Sequence, residues 1–227
     1  MGIVFGKIDV AEPSFKVLLT RTTVPIPYQL RQYNVRYVCE TSFTGSDTSS
    51  GFRALAGYIG VMGPPQNEGS QSISMTAPVV MEGQSQGQSI AMTAPVVTST
   101  TNDIGPTSTS TNLKKMQFFL PEEYNSIQSI PKPTNPNVSI QKIPAATGVV
   151  HTFSGTAGDE KTRNKVKALV RQLKQDGLEL DEDQVLMQKY SLWQYNPPFT
   201  IPIMRRNEVW IQLTDEEVQR LMNHFQN

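Results

Sequence analysis

The stretch YNPPFTIPIMRRNEVWIQL, from Tyr195 to Leu213, combines a proline-rich turn, two adjacent arginines and an apolar strand. Its two consecutive prolines favour an extended turn, because the proline ring fixes the backbone angle φ. Arg205 and Arg206 lie beside Glu208 at the start of the strand, and this spacing predicts an ion-pair network that ties the turn to a sheet. The alternative interpretation is a polar rim that binds an anionic ligand.

Segments with the composition of β-strands lie on the N-terminal side of this stretch. They alternate apolar and polar residues, or they are rich in β-branched and aromatic side chains, as strands are. Together with the opening stretch, the predicted strands are Pro27–Tyr33, Val35–Phe43, two MTAPVV phrases, Lys114–Pro121, Asn137–Ile143, Gly148–Gly155, Val185–Tyr195 and Asn207–Leu213.

Three further segments place apolar residues at the spacing i, i+3, i+4, i+7, which predicts amphipathic helices. The third of them begins with a capping-box pattern, Thr214 to Glu217. The apolar stripes are Phe52, Leu55, Ala56 and Ile59; then Val166, Leu169, Val170 and Leu173; and finally Val218, Leu221, Met222 and Phe225.

In chain order the elements follow the pattern strand, strand, helix, strand, strand, and then repeat it. This pattern predicts an α+β fold, a pseudo-symmetric antiparallel barrel-like β-sheet with two long helices, plus a short C-terminal helix. We expect residues 1–213 to form a single domain with halves at about 14–121 and 137–213. Residues 214–227 are expected to form a C-terminal helical extension.

Composition narrows the classes of protein to consider. The chain has 227 residues, in which 20 basic side chains balance 20 acidic ones, so nothing favours binding to nucleic acid. A single cysteine fits a reducing compartment, and no apolar run approaches the length of a membrane span. The expectation is a cytoplasmic protein without a membrane span, a monomer, whose protein partner the sequence does not identify.

Motifs for catalysis and for metal binding are missing from the sequence. The two histidines, His151 and His224, are far apart, and Cys39 has no partner at the spacing of a catalytic dyad. Phosphate-binding glycine motifs and the zinc-protease motif HExxH do not occur. The sequence therefore predicts that the protein is not an enzyme, with no catalytic residues and no metal site.

A ten-residue phrase, QSISMTAPVV, occurs at Gln71–Val80 and again, with one change, at Gln88–Val97. Met75 and Met92 are equivalent in the two copies and could act as soft metal ligands. The alternation around each methionine favours a place in the core instead. Two copies are too few for a solenoid, and their spacing fits a hairpin of two similar strands.

Four motifs in this order, GFRALAGYIG (Gly51–Gly60), MTAPVV, MQFFLP (Met116–Pro121) and YNPP followed by RRNE, resemble the SOUL haem-binding protein family. The resemblance runs from Met1 to Leu213 and is closest to the cytosolic plant-type members. It implies reversible, non-covalent binding of haem, or of other tetrapyrroles, in an apolar cleft beside the first helix. The function it predicts is that of a cytosolic carrier or buffer; the alternative is a module that binds another small hydrophobic ligand or a protein partner in the same cleft.

The resemblance also suggests which residues bind the cofactor. Ser49 and Thr200 stand where other branches of the family carry basic residues, and Gln32 stands where one branch carries a proposed axial histidine. His151 lies on the apolar face of its strand, as a core histidine does, with axial ligation of haem iron as the alternative. The predicted cofactor-binding residues are Ser49, Phe52, Leu55, Ala56, Ile59, Phe199, Thr200 and Arg205.

Because the family fold needs one MTAPVV strand, the two copies are expected to compete for its register. We expect both copies to be strands, with the second in the family position. On that expectation, deletion of Gln71–Gly87 leaves a folded domain that still binds haem.

Overall fold

A computed structural model describes residues 10–44, 48–83, 113–196 and 200–225. Its described strands form one antiparallel sheet in the order β1-β2-β7-β9-β8-β4-β5-β3-β6. The strands are β1 (Phe15–Arg21), β2 (Tyr28–Tyr33), β3 (Arg36–Thr44), β4 (Val79–Gly83), β5 (Leu113–Phe119), β6 (Ser139–Ile143), β7 (Ala146–Phe153), β8 (Tyr190–Gln194) and β9 (Asn207–Leu213).

Four α-helices accompany the sheet in the described residues, and none of them is long and apolar enough to cross a membrane. The last one has the predicted capping box, since the Thr214 side chain accepts from the Glu217 N–H and the Glu217 side chain accepts from the Thr214 N–H. The helices are α1 (Thr48–Ile59), α2 (Asp159–Gln175), α3 (Glu182–Gln184) and α4 (Asp215–His224).

The predicted α+β class is confirmed, but the sheet is not closed into a barrel. In the described residues β1 pairs only with β2, and β6 pairs only with β3, so the two outer strands leave the sheet open. Strand β1 was not predicted, because its segment FKVLLTR mixes a lysine and an arginine with an apolar run. This strand covers the outer edge of β2 and becomes one of the two free edges.

Helices α1 and α2 pack on the same face of the sheet. Residues of α2, including Leu169 and Leu173, pack against side chains of β2, β7 and β9, whereas Leu55 and Tyr58 of α1 pack with side chains of β3 and β5. The partly buried Met81 of β4 touches both of these clusters. Because side chains alternate along a strand, the intervening residues point to the opposite face.

That opposite face carries a third apolar cluster of its own. We call it the aromatic face, because five of its buried residues carry aromatic rings. These are Tyr33, Phe119, Trp193, Tyr195 and Trp210. The sheet is therefore apolar on both sides, with helices covering only one of them in the described residues.

The first copy of the repeated phrase supplies an inner strand. Its last two residues begin β4, which pairs with β5 on one side and with β8 on the other. Ile73, Ala77 and Val80 are buried and anchor the phrase directly after α1. The expectation that the second copy fills this position is therefore wrong. Deletion of Gln71–Gly87 would remove β4. The second copy itself, Met92–Val97, lies outside the described residues.

The methionines of the phrase were predicted to lie in the core. Met75 is partly buried against the cluster beneath α1, which confirms the prediction for the first copy. The segment before Pro78 is nevertheless not a regular strand, because the β-pairing of Thr76 with Ala11 is an isolated bridge.

Helix α4 is also attached to the domain core. Leu221 is fully buried in the cluster formed by α2 and the strands beneath it, and Val218 and Met222 pack against the same cluster. The apolar stripe predicted from the sequence is therefore the face that α4 buries.

Gly148 allows strands β7 and β9 to approach closely on the aromatic face. A Cβ atom at this position would lie 2.4 Å from the carbonyl oxygen of Ile211 and 2.7 Å from the indole of Trp210. Neither neighbour is the flexible end of a side chain, so one of them would have to shift. The glycine is needed for space on the aromatic face.

We expect Gly148→Ala to lower the free energy of unfolding by about 1–3 kcal/mol, the usual cost of overpacking a core. Urea denaturation monitored by circular dichroism measures it. The control is Gly57→Ala in α1, where the new methyl group meets only the flexible amide end of Gln66. Because alanine favours a helix over glycine by about 1 kcal/mol, Gly57→Ala should be neutral or stabilising. Equal destabilisation by the two substitutions would contradict the packing argument.

Candidate functional site

The ion-pair network predicted from the opening stretch is centred on Glu208, whose side chain has no exposed surface. Its Oε2 accepts from Arg31 Nη1 at 3.0 Å and from the Tyr195 hydroxyl at 2.7 Å. Its Oε1 accepts from Arg206 Nη2 at 2.9 Å and from the Thr152 hydroxyl at 3.2 Å. A buried carboxylate needs this many donors to offset the loss of hydration.

The network reaches beyond the sheet. Arg206 also binds both carboxylate oxygens of Glu12 at 3.0 Å, which attaches the N-terminal segment to the start of β9. Burial and the negative charge of Glu208 raise the pKa of the Tyr195 hydroxyl, so the hydroxyl remains a donor. The predicted pairing of Arg206 with Glu208 is confirmed, whereas Arg205 donates from Nε to the Thr200 carbonyl at 2.8 Å.

We expect Glu208→Gln to destabilise the protein by about 3–5 kcal/mol. The substitution removes the negative charge with which the buried Arg31 and the half-buried Arg206 both pair. Thermal and urea unfolding measure the loss. Glu216→Gln is the matched control, since it breaks an exposed pair with Arg220 worth less than about 1 kcal/mol. Similar losses in the two variants would contradict a central role for Glu208.

The stripe of α1 that was predicted to bind the cofactor lies mostly in the core. Leu55 and Ala56 have no exposed surface and Ile59 is 2% exposed, so all three pack against the sheet. Phe52 is partly exposed, with its ring 5.4 Å from that of Phe118, and Ser49 is exposed. In the conformation described, the accessible edge of the predicted cleft consists of Ser49 and Phe52.

The remaining predicted contacts belong to the turn between β8 and β9. Thr200 is fully buried and Arg205 is half-buried, with the hydrogen bond between them described above. Phe199 lies outside the described residues. Between Thr200 and Arg205 the turn exposes three large apolar side chains, Ile201, Ile203 and Met204, of which Ile203 is 77% exposed.

His151 is a core histidine, as its alternation with apolar neighbours indicated. Its Nδ1 lies 2.7 Å from the carbonyl oxygen of Pro27, which can only accept, so Nδ1 carries the proton. Nε2 is buried and has no hydrogen-bond partner among the described residues. Burial lowers the pKa of His151, against the opposing effect of the Pro27 carbonyl, and Lys165 lowers it further.

The lowered pKa of His151 predicts a loss of stability in mild acid. Because its pKa is lower in the folded protein, His151 takes up a proton more readily in the unfolded chain, whose histidine titrates near 6.5. The folded state therefore loses stability as the pH falls from 7.5 to 5.5. We expect His151→Phe to lose less stability than the wild type over this range in urea unfolding; an equal loss in both proteins would contradict the assignment.

The single cysteine is buried in the core. Cys39 is fully buried, and burial raises the pKa of its thiol to about 12. Among the described residues, no group of three or more His, Cys, Asp or Glu side chains could hold a metal ion.

A large cavity, which no sequence pattern indicated, lies on the aromatic face. We call it the aromatic-face cavity: it has a volume of about 730 Å³, and Phe119, Trp193, Trp210, Arg36 and Glu82 are among the residues that line it. Its walls come from strands that are distant in sequence and neighbouring only in the sheet, so no local pattern marks it. The alternation of Trp193 and Trp210 with core residues of the helix-covered face is the one signal that the sequence contained.

Comparison with known proteins relates this architecture to one family. The family model described as SOUL heme-binding protein matches residues 10–86 and 82–212. Heme-binding protein 2 of Mus musculus is 25% identical over 219 residues, which cover 93% of this chain and 91% of that protein.

Solved structures share the fold at low sequence identity. The C-terminal domain of EcmrR aligns with a TM-score of 0.50 and 14% identity, covering 84% of this chain and 99% of that one. A hydrolase from Listeria innocua aligns with a TM-score of 0.50 and 10% identity, covering 82% and 91% of the two chains. At these identities the likeness concerns the fold alone.

Proposed function

The chain belongs to the SOUL haem-binding protein family, and we propose that it binds haem or related tetrapyrroles reversibly and without catalysis. The observation that carries the proposal is the extent of the family match, which includes nearly all the described residues of the sheet and both long helices. The mouse relative supports it, because its similarity to this chain is equally extensive.

We place the tetrapyrrole at the accessible edge of α1, with the turn between β8 and β9 as a second contact. Phe52 offers a partly exposed ring, and the turn offers Ile201, Ile203 and Met204. A flat apolar ring gains about 25 cal/mol for each Å² of apolar surface removed from water. Leu55, Ala56 and Ile59 support Phe52 from beneath, and Arg205 stands beside the exposed turn as a candidate partner for a propionate.

The residues of this site fit contact with the face of a porphyrin better than ligation of its iron. None of Ser49, Phe52, Thr200 and Arg205 is a usual iron ligand. His151, the one histidine on an apolar strand, is buried and uses Nδ1 to bind Pro27. We therefore propose open or weak iron ligation, in which apolar contact supplies most of the affinity.

The cellular role that fits such a site is that of a carrier or buffer. A monomeric, cytoplasmic protein of the plant-type branch is our proposal, supported by the resemblance of the four motifs and by the single cysteine. We also propose that the two halves are pseudo-symmetric. Exchanging β2 to β5 with β6 to β9 reproduces the strand pairings, for example β2 with β7 and β6 with β3.

Titration with haem, followed by the Soret band, tests the proposed function. We expect a saturable shift at micromolar haem, and about tenfold to hundredfold weaker binding in Phe52→Asp, because burial of a phenylalanine is worth about 1.5–3 kcal/mol. His151→Ala should bind haem as the wild type does.

Asn164→Asp is the matched control, since it adds the same single charge on an exposed position of α2. It should leave the affinity unchanged, and circular dichroism confirms that each variant is folded. Absence of a Soret shift in the wild type would overturn tetrapyrrole binding, whereas a shift that Phe52→Asp leaves intact would overturn the α1 edge as its site. Iron-free protoporphyrin should compete with haem, because the site does not depend on iron.

A further inference from the structure

We propose that the aromatic-face cavity is a second ligand site, which takes a planar aromatic carboxylate with its ring against Trp193 and Trp210 and its carboxylate paired with Arg36. This site lies on the face of the sheet opposite α1. The proposal does not rest on haem binding, and its test has a different readout.

Arg36 is a cation that has no counter-charge among the described residues. Its Nε and Nη1 are buried and have no hydrogen-bond partner among the described residues, and no carboxylate there lies within ion-pair distance. A desolvated and unpaired guanidinium is costly, so an arriving anion gains a correspondingly strong partner. Burial lowers the pKa of Arg36 to about 10, which still leaves the group charged at neutral pH.

Aromatic rings hold Arg36 in place. Its guanidinium carbon lies 4.4 Å from the centre of the Tyr33 ring, 5.2 Å from that of Phe119 and 5.8 Å from that of Trp193. Contacts of this kind orient a cation but do not neutralise it. A planar guanidinium matches a carboxylate in geometry, because two N–H groups can donate to two oxygens.

The rest of the cavity suits a flat ring. The indoles of Trp193 and Trp210 are stacked, with centres 5.6 Å apart and planes inclined by 24°, and Phe119 meets Trp193 edge-on at 5.4 Å. A volume of about 730 Å³ lies within the range of sites for small molecules, roughly 300–1,000 Å³. Polar side chains, Gln117 and Ser191 among them, also line the cavity. Aromatic walls combined with a few placed polar groups are typical of such sites.

Two other charged residues, Lys189 and Glu82, line the cavity. Lys189 pairs with Glu217 at 2.9 Å. Burial and the neighbouring Glu40 raise the pKa of the Glu82 carboxyl group. Arg36 is therefore the lining cation that has no carboxylate partner in the described part of the chain.

The chain provides its own reporter for this site, because its only two tryptophans are Trp193 and Trp210. The indole N–H region of a ¹H–¹⁵N spectrum of the full chain should contain two signals, both from the cavity. The probe is 2-naphthoate, and 2-naphthylmethanol provides the same ring without the charge. We expect both indole signals to shift saturably, with 2-naphthoate binding at least tenfold more tightly than the alcohol.

Arg36→Met removes the cation and retains an apolar side chain. It should abolish the preference for 2-naphthoate while binding the alcohol within twofold of the wild type, which shows that the cavity is intact. Arg53→Met, on the exposed side of α1, is the control and should retain the preference. Arg36→Gln replaces the methionine variant if that variant does not fold.

Three results would overturn the proposal: indole signals that do not move with 2-naphthoate, equal affinity of the wild type for the two probes, or a preference that survives in the folded Arg36 variant. These outcomes are separate from those of the haem titration. A protein that fails to shift the Soret band can still bind 2-naphthoate beside its tryptophans, and the reverse also holds.

Discussion

The buried carboxylate of Glu208 is the constraint on which the arrangement of the domain depends. It lies where β2, β7, the end of β8 and the start of β9 meet, and it accepts from a side chain in each of the first three of these segments. Because a carboxylate without exposed surface must satisfy its oxygens within the protein, these segments cannot move independently. Arg206 extends the same restriction to the segment that contains Glu12.

The two faces of the sheet have different consequences for ligand binding. On the helix-covered face, α1 and α2 bury their apolar stripes, and what remains accessible is the edge of α1 and an exposed turn. The aromatic face has no helix over it among the described residues, and its rings surround an open volume with a cation inside. One face can therefore offer surface contact to a large ring, and the other can enclose a smaller one.

Sequence patterns predicted the features that depend on neighbours along the chain. Helices α1, α2 and α4 follow from apolar spacing, and the cap at Thr214 and the pairing of Arg206 with Glu208 follow from spacings of two or three residues. What the sequence could not predict depends on register between distant strands. Arg36 meets Trp193 only because β3, β5, β4 and β8 are consecutive in the sheet. The place of β1 and the choice of the first repeated phrase for β4 likewise depend on pairing.

Gly148 leaves room for the ring of Trp210 because it has no side chain. The Trp210 ring lies in the space that any larger residue at this position would fill, and Trp210 in turn stacks on Trp193. The position of the Trp210 indole in the cavity wall therefore depends on the absence of a side chain at position 148. A larger residue there would displace this indole, and with it the surface offered to a ligand, without a change in any aromatic residue.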